Sequence, residues 1–201
     1  MKKFVYLISP NKINKNFYQN LDKVLSAKNV KYFQLRLKNI KIKEFSSIAS
    51  KIKKITTKHK VKFVINDYFI LACKIKADGC HMGQLDGSFV MARKKLKNKI
   101  LGVTCHNSKL LAKNAIKNSA DYIAFGSFFK SKLKPNAIKA NLGILKWAIK
   151  KKIRKPIVAI GGINNTNYKK LLNAGAKYIA ISSFIWDNPN LKPEIAIRKF
   201  K

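Results

Sequence analysis

Eight short apolar runs recur along the 201-residue chain, and the polar residues that look out of place fall at or just beyond their C-terminal ends. The runs occupy 4–9, 32–38, 62–67, 79–83, 100–105, 122–126, 157–162 and 178–183. Between them lie segments with helical spacing, such as Phe45, Ile48, Ala49, Ile52 and Ile55, which put apolar side chains on one stripe. Strand and helix therefore alternate eight times. This is the plan of an α/β TIM barrel, (β/α)₈, as a single domain over 1–201, in which chemistry collects at the rim formed by the C-terminal strand ends.

Strands of a parallel sheet covered on both faces normally read as near-continuous apolar runs, so charge inside one needs a reason. The second run breaks the rule. Side chains alternate with period two, which puts Gln34, Arg36 and Lys38 on one face and Phe33, Leu35 and Leu37 on the other. Either this is a half-exposed antiparallel strand, or it is a barrel strand whose inner face climbs into a polar pocket.

The remaining helices are expected at about 17–27, 69–75, 88–98, 108–118, 142–151, 167–174 and 191–199, the third and seventh being short. Ser88 and Ser108 stand where N-caps belong, and Gly175 follows a helix where a left-handed cap is expected. The longest loop, about 127–141, lacks a clear period and carries Lys130, Lys132, Lys134 and Lys139. It is expected to cover the C-terminal rim and touch an anionic substrate; a merely solvated basic loop is the other reading.

No stretch approaches the roughly 18 apolar residues of a membrane span, and the opening apolar segment is too short for a signal peptide, so a cytoplasmic protein with no membrane partner is expected. Cys73, Cys80 and Cys105 form no C-x-x-C pair, and they read as small core residues in a reducing compartment. Cys80-His81 and Cys105-His106 end neighbouring strands, but adjacent strand residues face opposite ways, so neither pair supplies two ligands to one zinc.

The formal charge of +36 points to polyanions, yet the lysines are dispersed over helix faces and loops, with no detached basic tail. Nucleic-acid binding is accordingly expected to be weak and non-specific. The eight acidic residues tell more than the forty-four basic ones. Asp67 closes the third run and Asp86 follows the fourth.

Barrel geometry brings all these strand ends together. Gln34, Arg36 and Lys38 would supply donors and positive charge, and Asn66, Asp67 and Asp86 oxygen ligands. Gly161, Gly162, Ser182 and Ser183 follow the last two strands, where barrels often bind phosphate. Carboxylates among cations point to Mg²⁺, which needs only one or two because substrate phosphates and water complete its shell; a pyrophosphate would fit. Loop caps or salt bridges are the structural alternative for the two acids, and a tight turn is the alternative for the glycines. Thr104 should point inward near the rim and orient a substrate. His106 is either an acid-base group or a packed residue, and His59 is expected to be solvated.

The strings QLRLK at 34–38, IND at 65–67, ADGCHMGQLD at 77–86, LGVT at 101–104, ADYIAFG at 120–126, VAIGGI at 158–163 and AGA at 174–176, taken together and in order, resemble the thiamine-phosphate synthase family. The resemblance covers nearly the whole chain. It implies a transferase that joins hydroxymethylpyrimidine pyrophosphate to thiazole phosphate, giving thiamine phosphate and pyrophosphate. It also implies that Gln34, Arg36, Lys38, Asn66, Thr104 and Lys134 hold the pyrimidine pyrophosphate, with Arg36, Lys38, Thr104 and Lys134 acting on the departing group. Asp67 and Asp86 would hold the ion, and Ser131, Gly161, Gly162, Ser182 and Ser183 the thiazole phosphate.

One segment departs from the family pattern. Where the family reads Pro-Thr-x-Thr-Lys, this chain has Lys130, Ser131, Lys132, Leu133 and Lys134. Ser131 and Lys134 keep the chemistry, whereas Leu133 has no hydroxyl, so contacts there are weaker unless Lys130 and Lys132 compensate. A thiazole tautomerase-like barrel and an inactive polyanion-binding barrel are the alternatives, and a homo-oligomer is compatible with the sequence.

Overall fold

The computed structural model describes residues 3–130 and 137–201. Eight parallel strands, β1 (Val5–Ile8), β2 (Val30–Leu35), β3 (Lys62–Asn66), β4 (Gly79–Met82), β5 (Ile100–Thr104), β6 (Tyr122–Gly126), β7 (Ile157–Ile160) and β8 (Tyr178–Ile181), pair in sequence order, and β8 closes onto β1. The helices α1 (Phe17–Leu25), α2 (Ile42–Lys58), α3 (Phe69–Lys74), α4 (Phe89–Leu96), α5 (Lys109–Lys117), α6 (Leu142–Lys150) and α7 (Tyr168–Asn173) each follow one strand. A four-residue turn of helix, α8 (Ser183–Trp186), precedes α9 (Pro193–Ile197). The expected helix over 191–199 is thus shorter, with Pro193 in its first turn, and α8 was not foreseen.

Local signals account for many of the boundaries. Ser88 Oγ accepts from Met91 N at 3.3 Å and Ser108 Oγ accepts from Leu111 N at 3.2 Å, satisfying one otherwise orphaned donor at each helix start. Asn141 caps α6 in the same way, through Gly143 N at 2.9 Å. Gly175 takes φ 110° after α7, a conformation in which a Cβ would be strained. β2 pairs in parallel with both β1 and β3, which removes the half-exposed antiparallel reading of that segment.

Alternation then sorts the strands into two surfaces. Outward-facing Leu7, Phe33, Leu35, Phe63, Ile65, Met82, Val103, Ile123 and Phe125 are buried against the helices in one apolar cluster. Inward-facing residues form a second cluster in which four tyrosines, Tyr6, Tyr32, Tyr122 and Tyr178, fill the barrel's lower level. Tyr32 lies edge-on to Tyr178, at 5.2 Å between ring centroids and 88° between planes, a favourable aromatic arrangement. Tyr122 finds room because β5 carries Gly102 opposite it: a Cβ there would lie 1.9 Å from the Tyr122 ring. Above the rings the inward positions become small, at Ala124, Gly126 and Ala180, or polar, at Gln34, Asn66, His81 and Thr104. Large rings below and small or polar side chains above leave the barrel filled at one end and hollow at the other.

Candidate active site

The hollow is a cavity of about 650 Å³ at the C-terminal rim. Among the described residues it gathers the whole Gln34, Arg36 and Lys38 face, together with Asn66, Asp67, Asp86 and Thr104, and on its far side Gly161, Gly162, Ser182 and Ser183. Ser131 and Lys134, and with them Leu133, lie outside the described residues. Of the long basic loop, Ser127, Ala137 and Ile138 line the cavity.

The second strand behaves as its alternation requires. Gln34 is buried on the inner face, and its Nε2 donates to Tyr6 OH at 3.1 Å. The β2–β3 ladder ends at Leu35, so Arg36 and Lys38 stand beyond the last paired residue, with their charges over the cavity rather than inside the sheet. Ser9 fixes the chain there: its Oγ accepts from Arg36 N at 3.0 Å.

Asn66 and Asp67 are neighbours, yet both line the cavity. A straight strand would send one of them outward. The backbone instead turns at Asp67, which takes φ 67°, while its N–H donates to His81 O at 2.8 Å and Tyr68 N donates to Asn66 O at 2.8 Å. Asp is one of the few residues other than glycine that adopt this left-handed region readily. Asp86 reaches the same place from the loop after β4, where its Oδ2 accepts from Gly83 N at 2.6 Å. The two carboxyls are close enough to share a hydrogen bond. Burial, then that bond and the Asp86 charge, push the Asp67 carboxyl up to about 7, against the opposing charges of Arg36 and Lys38. Two acids brought to one spot cannot both ionise comfortably there.

On the opposite wall, Gly161 and Gly162 take φ 107° and 58°. A Cβ at Gly161 would lie 1.9 Å from Ser127 Oγ, and one at Gly162 would lie 2.3 Å from Lys130 O. Both glycines are therefore required by the loop after β6, which lies against them, so a turn demands them independently of any ligand. Ser182 Oγ donates to Ser9 O at 3.0 Å, and Ser183 opens α8.

His81 belongs to the site and was passed over in the sequence, where it appeared only as half of a Cys-His pair. Cys80 faces the outer core, while His81 is buried in the barrel and lines the cavity. Its Nε2 lies 2.8 Å from Thr104 Oγ1 and its Nδ1 2.9 Å from Tyr122 OH. Thr104 points inward as expected, and Gln84 Nε2 also donates to its carbonyl oxygen. His106 lines the cavity with φ 49°. His59 departs from expectation: rather than being solvated, it is largely covered, with Nε2 2.8 Å from Asp22 Oδ1, because the end of α2 packs against α1. Burial pushes both core thiols up, Cys105 to about 12, which suits packing residues rather than ligands or nucleophiles.

A closed β/α barrel with cations, paired acids and glycine turns around one mouth defines a class of barrel enzymes that handle small phosphorylated substrates. Residues 5–185 match the family described as thiamine monophosphate synthase. The chain is 58% identical to a thiamine-phosphate synthase of Pelagibacter ubique over 201 residues, covering 100% of this chain and 97% of the relative. It is 42% identical over 187 residues to one from Erythrobacter litoralis, covering 90% and 87%. The solved thiamine phosphate pyrophosphorylase from Pyrococcus furiosus superposes with a TM-score of 0.86 at 26% identity, over 98% of this chain and 93% of that one. The chain belongs to the thiamine monophosphate synthase family.

Proposed function

We propose that this barrel is a thiamine-phosphate synthase, a transferase that couples hydroxymethylpyrimidine pyrophosphate to thiazole phosphate and releases pyrophosphate. The observation that carries the reading is the meeting of the Gln34, Arg36 and Lys38 face with the Asp67 and Asp86 pair at one mouth, in a chain matching such synthases along its length.

The chemical task is to let a carbon–oxygen bond break and to stabilise the charge gathering on the departing diphosphate. In this reading Arg36 meets that charge with a bidentate fork and Lys38 with a compact ammonium. Thr104 and Lys134 add donors to the same group, and Gln34 and Asn66 hold the pyrimidine end. Gly161, Gly162, Ser131, Ser182 and Ser183 take the thiazole phosphate. Fixing both halves in one barrel brings the thiazole nitrogen in line with the methylene carbon.

Asp67 and Asp86 would hold Mg²⁺, which when bound adds positive charge against the diphosphate. The donor set suits a hard ion: two neighbouring carboxyls, the Asp67 group held protonated up to about 7 by burial and by its neighbour, and no group of three or more His, Cys, Asp or Glu among the described residues to complete a shell alone. The segment at 127–141 is assigned as the cover of this rim.

Incubation with both phosphorylated halves and magnesium, followed by detection of thiamine phosphate and pyrophosphate, tests the reading. Isomerisation of a thiazole carboxylate phosphate without coupling would replace it with the tautomerase alternative, which has no use for the acid pair. No described helix is long and apolar enough to cross a membrane, and we assign the protein to the cytoplasm. Its +36 charge gives weak nucleic-acid binding that salt abolishes, and tight binding surviving near physiological salt without turnover would favour the polyanion-binding alternative.

A further inference from the structure

Beneath the cavity a line of hydrogen bonds crosses the barrel from Gln34 on β2 to Thr104 on β5 through three side chains, Tyr6, Tyr122 and His81, that the reaction as described leaves unused. Gln34 Nε2 donates to Tyr6 OH at 3.1 Å, and the Tyr6 and Tyr122 hydroxyls lie 2.7 Å apart. Tyr122 OH is 2.9 Å from His81 Nδ1, and His81 Nε2 is 2.8 Å from Thr104 Oγ1. Burial, above all other causes, drives both phenols far above their ordinary range, so each keeps its proton at neutral pH and has one hydrogen to give.

Counting donors along the line gives it a direction. The Gln34 NH₂ group can only donate, so the Tyr6 oxygen accepts there and the Tyr6 proton goes to Tyr122. Tyr122 gives its own proton to His81 Nδ1, which must then be the bare nitrogen. A neutral imidazole in that state carries its hydrogen on Nε2 and donates it to Thr104 Oγ1. The Thr104 hydroxyl, with a lone pair already engaged, keeps its proton for the cavity. The His81 ring is stacked on Tyr122, 5.7 Å between centroids and 13° between planes, which holds both nitrogens on their partners.

We infer that the series Gln34, Tyr6, Tyr122 and His81 locks one histidine tautomer so that Thr104 is presented as a donor, which makes Tyr6, Tyr122 and His81 positioning residues for the coupling step. The inference rests on the synthase reading for the identity of the oxygen that Thr104 meets, the departing diphosphate. With the other tautomer Thr104 would donate to His81 and turn only lone pairs toward that anion, removing a donor from where negative charge develops. Turning the Gln34 amide over would reverse every bond in the line and leave Nδ1 protonated, so a measurement distinguishes the two.

The measurement is a long-range ¹H–¹⁵N correlation spectrum of histidine-labelled wild-type protein near pH 7, with His59 and His106 identified by their single substitutions. His81 should show a bare Nδ1 and a protonated Nε2; a protonated Nδ1 overturns the inference. Kinetics give a second readout. Tyr122→Phe should lower the single-turnover rate about tenfold, the equivalent of one neutral hydrogen bond, with little change in KM for either substrate. That loss should disappear in a Thr104→Val background, because the line acts only through the Thr104 hydroxyl. An equal loss in both backgrounds would make Tyr122 a packing residue and overturn the proposal. If a variant fails to fold, the wild-type spectrum decides. Absence of synthase turnover in the wild type would strike the functional reading, while the tautomer is read without any substrate.

Discussion

The two rims of this barrel use the same side chain, a carboxylate, to opposite ends. At the lower rim, Asp78 just before β4 accepts from Phe63 N of β3 at 2.9 Å and from Lys53 Nζ at 2.6 Å. Asp121 just before β6 repeats the device, accepting from Leu101 N of β5 at 2.8 Å and from Arg93 Nη2 at 2.6 Å. Each ties a neighbouring strand and a cation from a helix or its end into the closure of the barrel. At the upper rim Asp67 and Asp86 lean on each other, and the nearest cations, Arg36 and Lys38, lower the Asp67 carboxyl less than burial and its acidic neighbour raise it. In a chain with forty-four basic residues and eight acidic ones, ion pairing is easily found. Its incompleteness at the upper rim leaves a like-charge contact at the end of the barrel where such folds bind their ligands.

The sharpest way to break the comparison is to neutralise one acid at each end. Asp86→Asn keeps an oxygen that can accept from Gly83 N while losing the charge. Synthase turnover should fall by about 10²–10³-fold, the scale seen when a group stabilising developing charge is removed. The melting temperature should hold or rise, since a like-charge contact has gone. Full turnover in Asp86→Asn, or in chelator, would reduce the upper pair to the loop-capping role that the lower acids play.

Asp78→Asn should do the reverse. Two charge-assisted bonds are weakened at a carboxylate that is still 22% exposed, so the expected loss is toward the lower end of about 1.5–3 kcal/mol, visible as a shifted denaturant midpoint. Turnover per folded molecule should not change. A loss of rate without a loss of stability would mean that the rims communicate and that the division drawn here is wrong.

How much of this was written in the sequence differs between the rims. Strand ends, the polar face of β2 and the acids at Asp67 and Asp86 were legible because period-two alternation and barrel geometry leave a charged strand end only one place to go. How neighbouring Asn66 and Asp67 both reach the site was not, since it depends on the left-handed turn at φ 67°. The line through Tyr6, Tyr122 and His81 was hidden because tyrosines in a barrel strand read as core. Gly102 was the available signal: a glycine inside a strand marks a close approach, here the Tyr122 ring. The lower-rim clasps were missed because an acid at a strand start reads as ordinary surface until strand register puts it beside Phe63 N or Leu101 N.

The pH dependence of stability separates the rims by sign alone. In protein freed of divalent ions, Asp67 holds its proton up to about 7 when folded but only to about 4 when unfolded. Its contribution therefore favours the fold most at low pH and is lost as pH rises between those values. At Asp78, burial would raise the carboxyl, but the Lys53 hydrogen bond, the Phe63 N–H and the Lys53 and Lys62 charges outweigh it and hold the group below its ordinary value. That stability is present above the unfolded value of about 4 and disappears as pH falls through the folded one. Melting temperature measured against pH in chelator should thus show a decline between about pH 4 and 7 and a separate loss in acid. Asp86→Asn should lessen the first and leave the second, because it removes the bond and the charge that add to burial at Asp67 without touching the lower clasps. Asp78→Asn should lessen the acid loss and leave the neutral decline. A neutral decline of unchanged size in Asp86→Asn would mean that burial alone raises Asp67, and the upper acids would then be two separate carboxyls rather than one coupled pair.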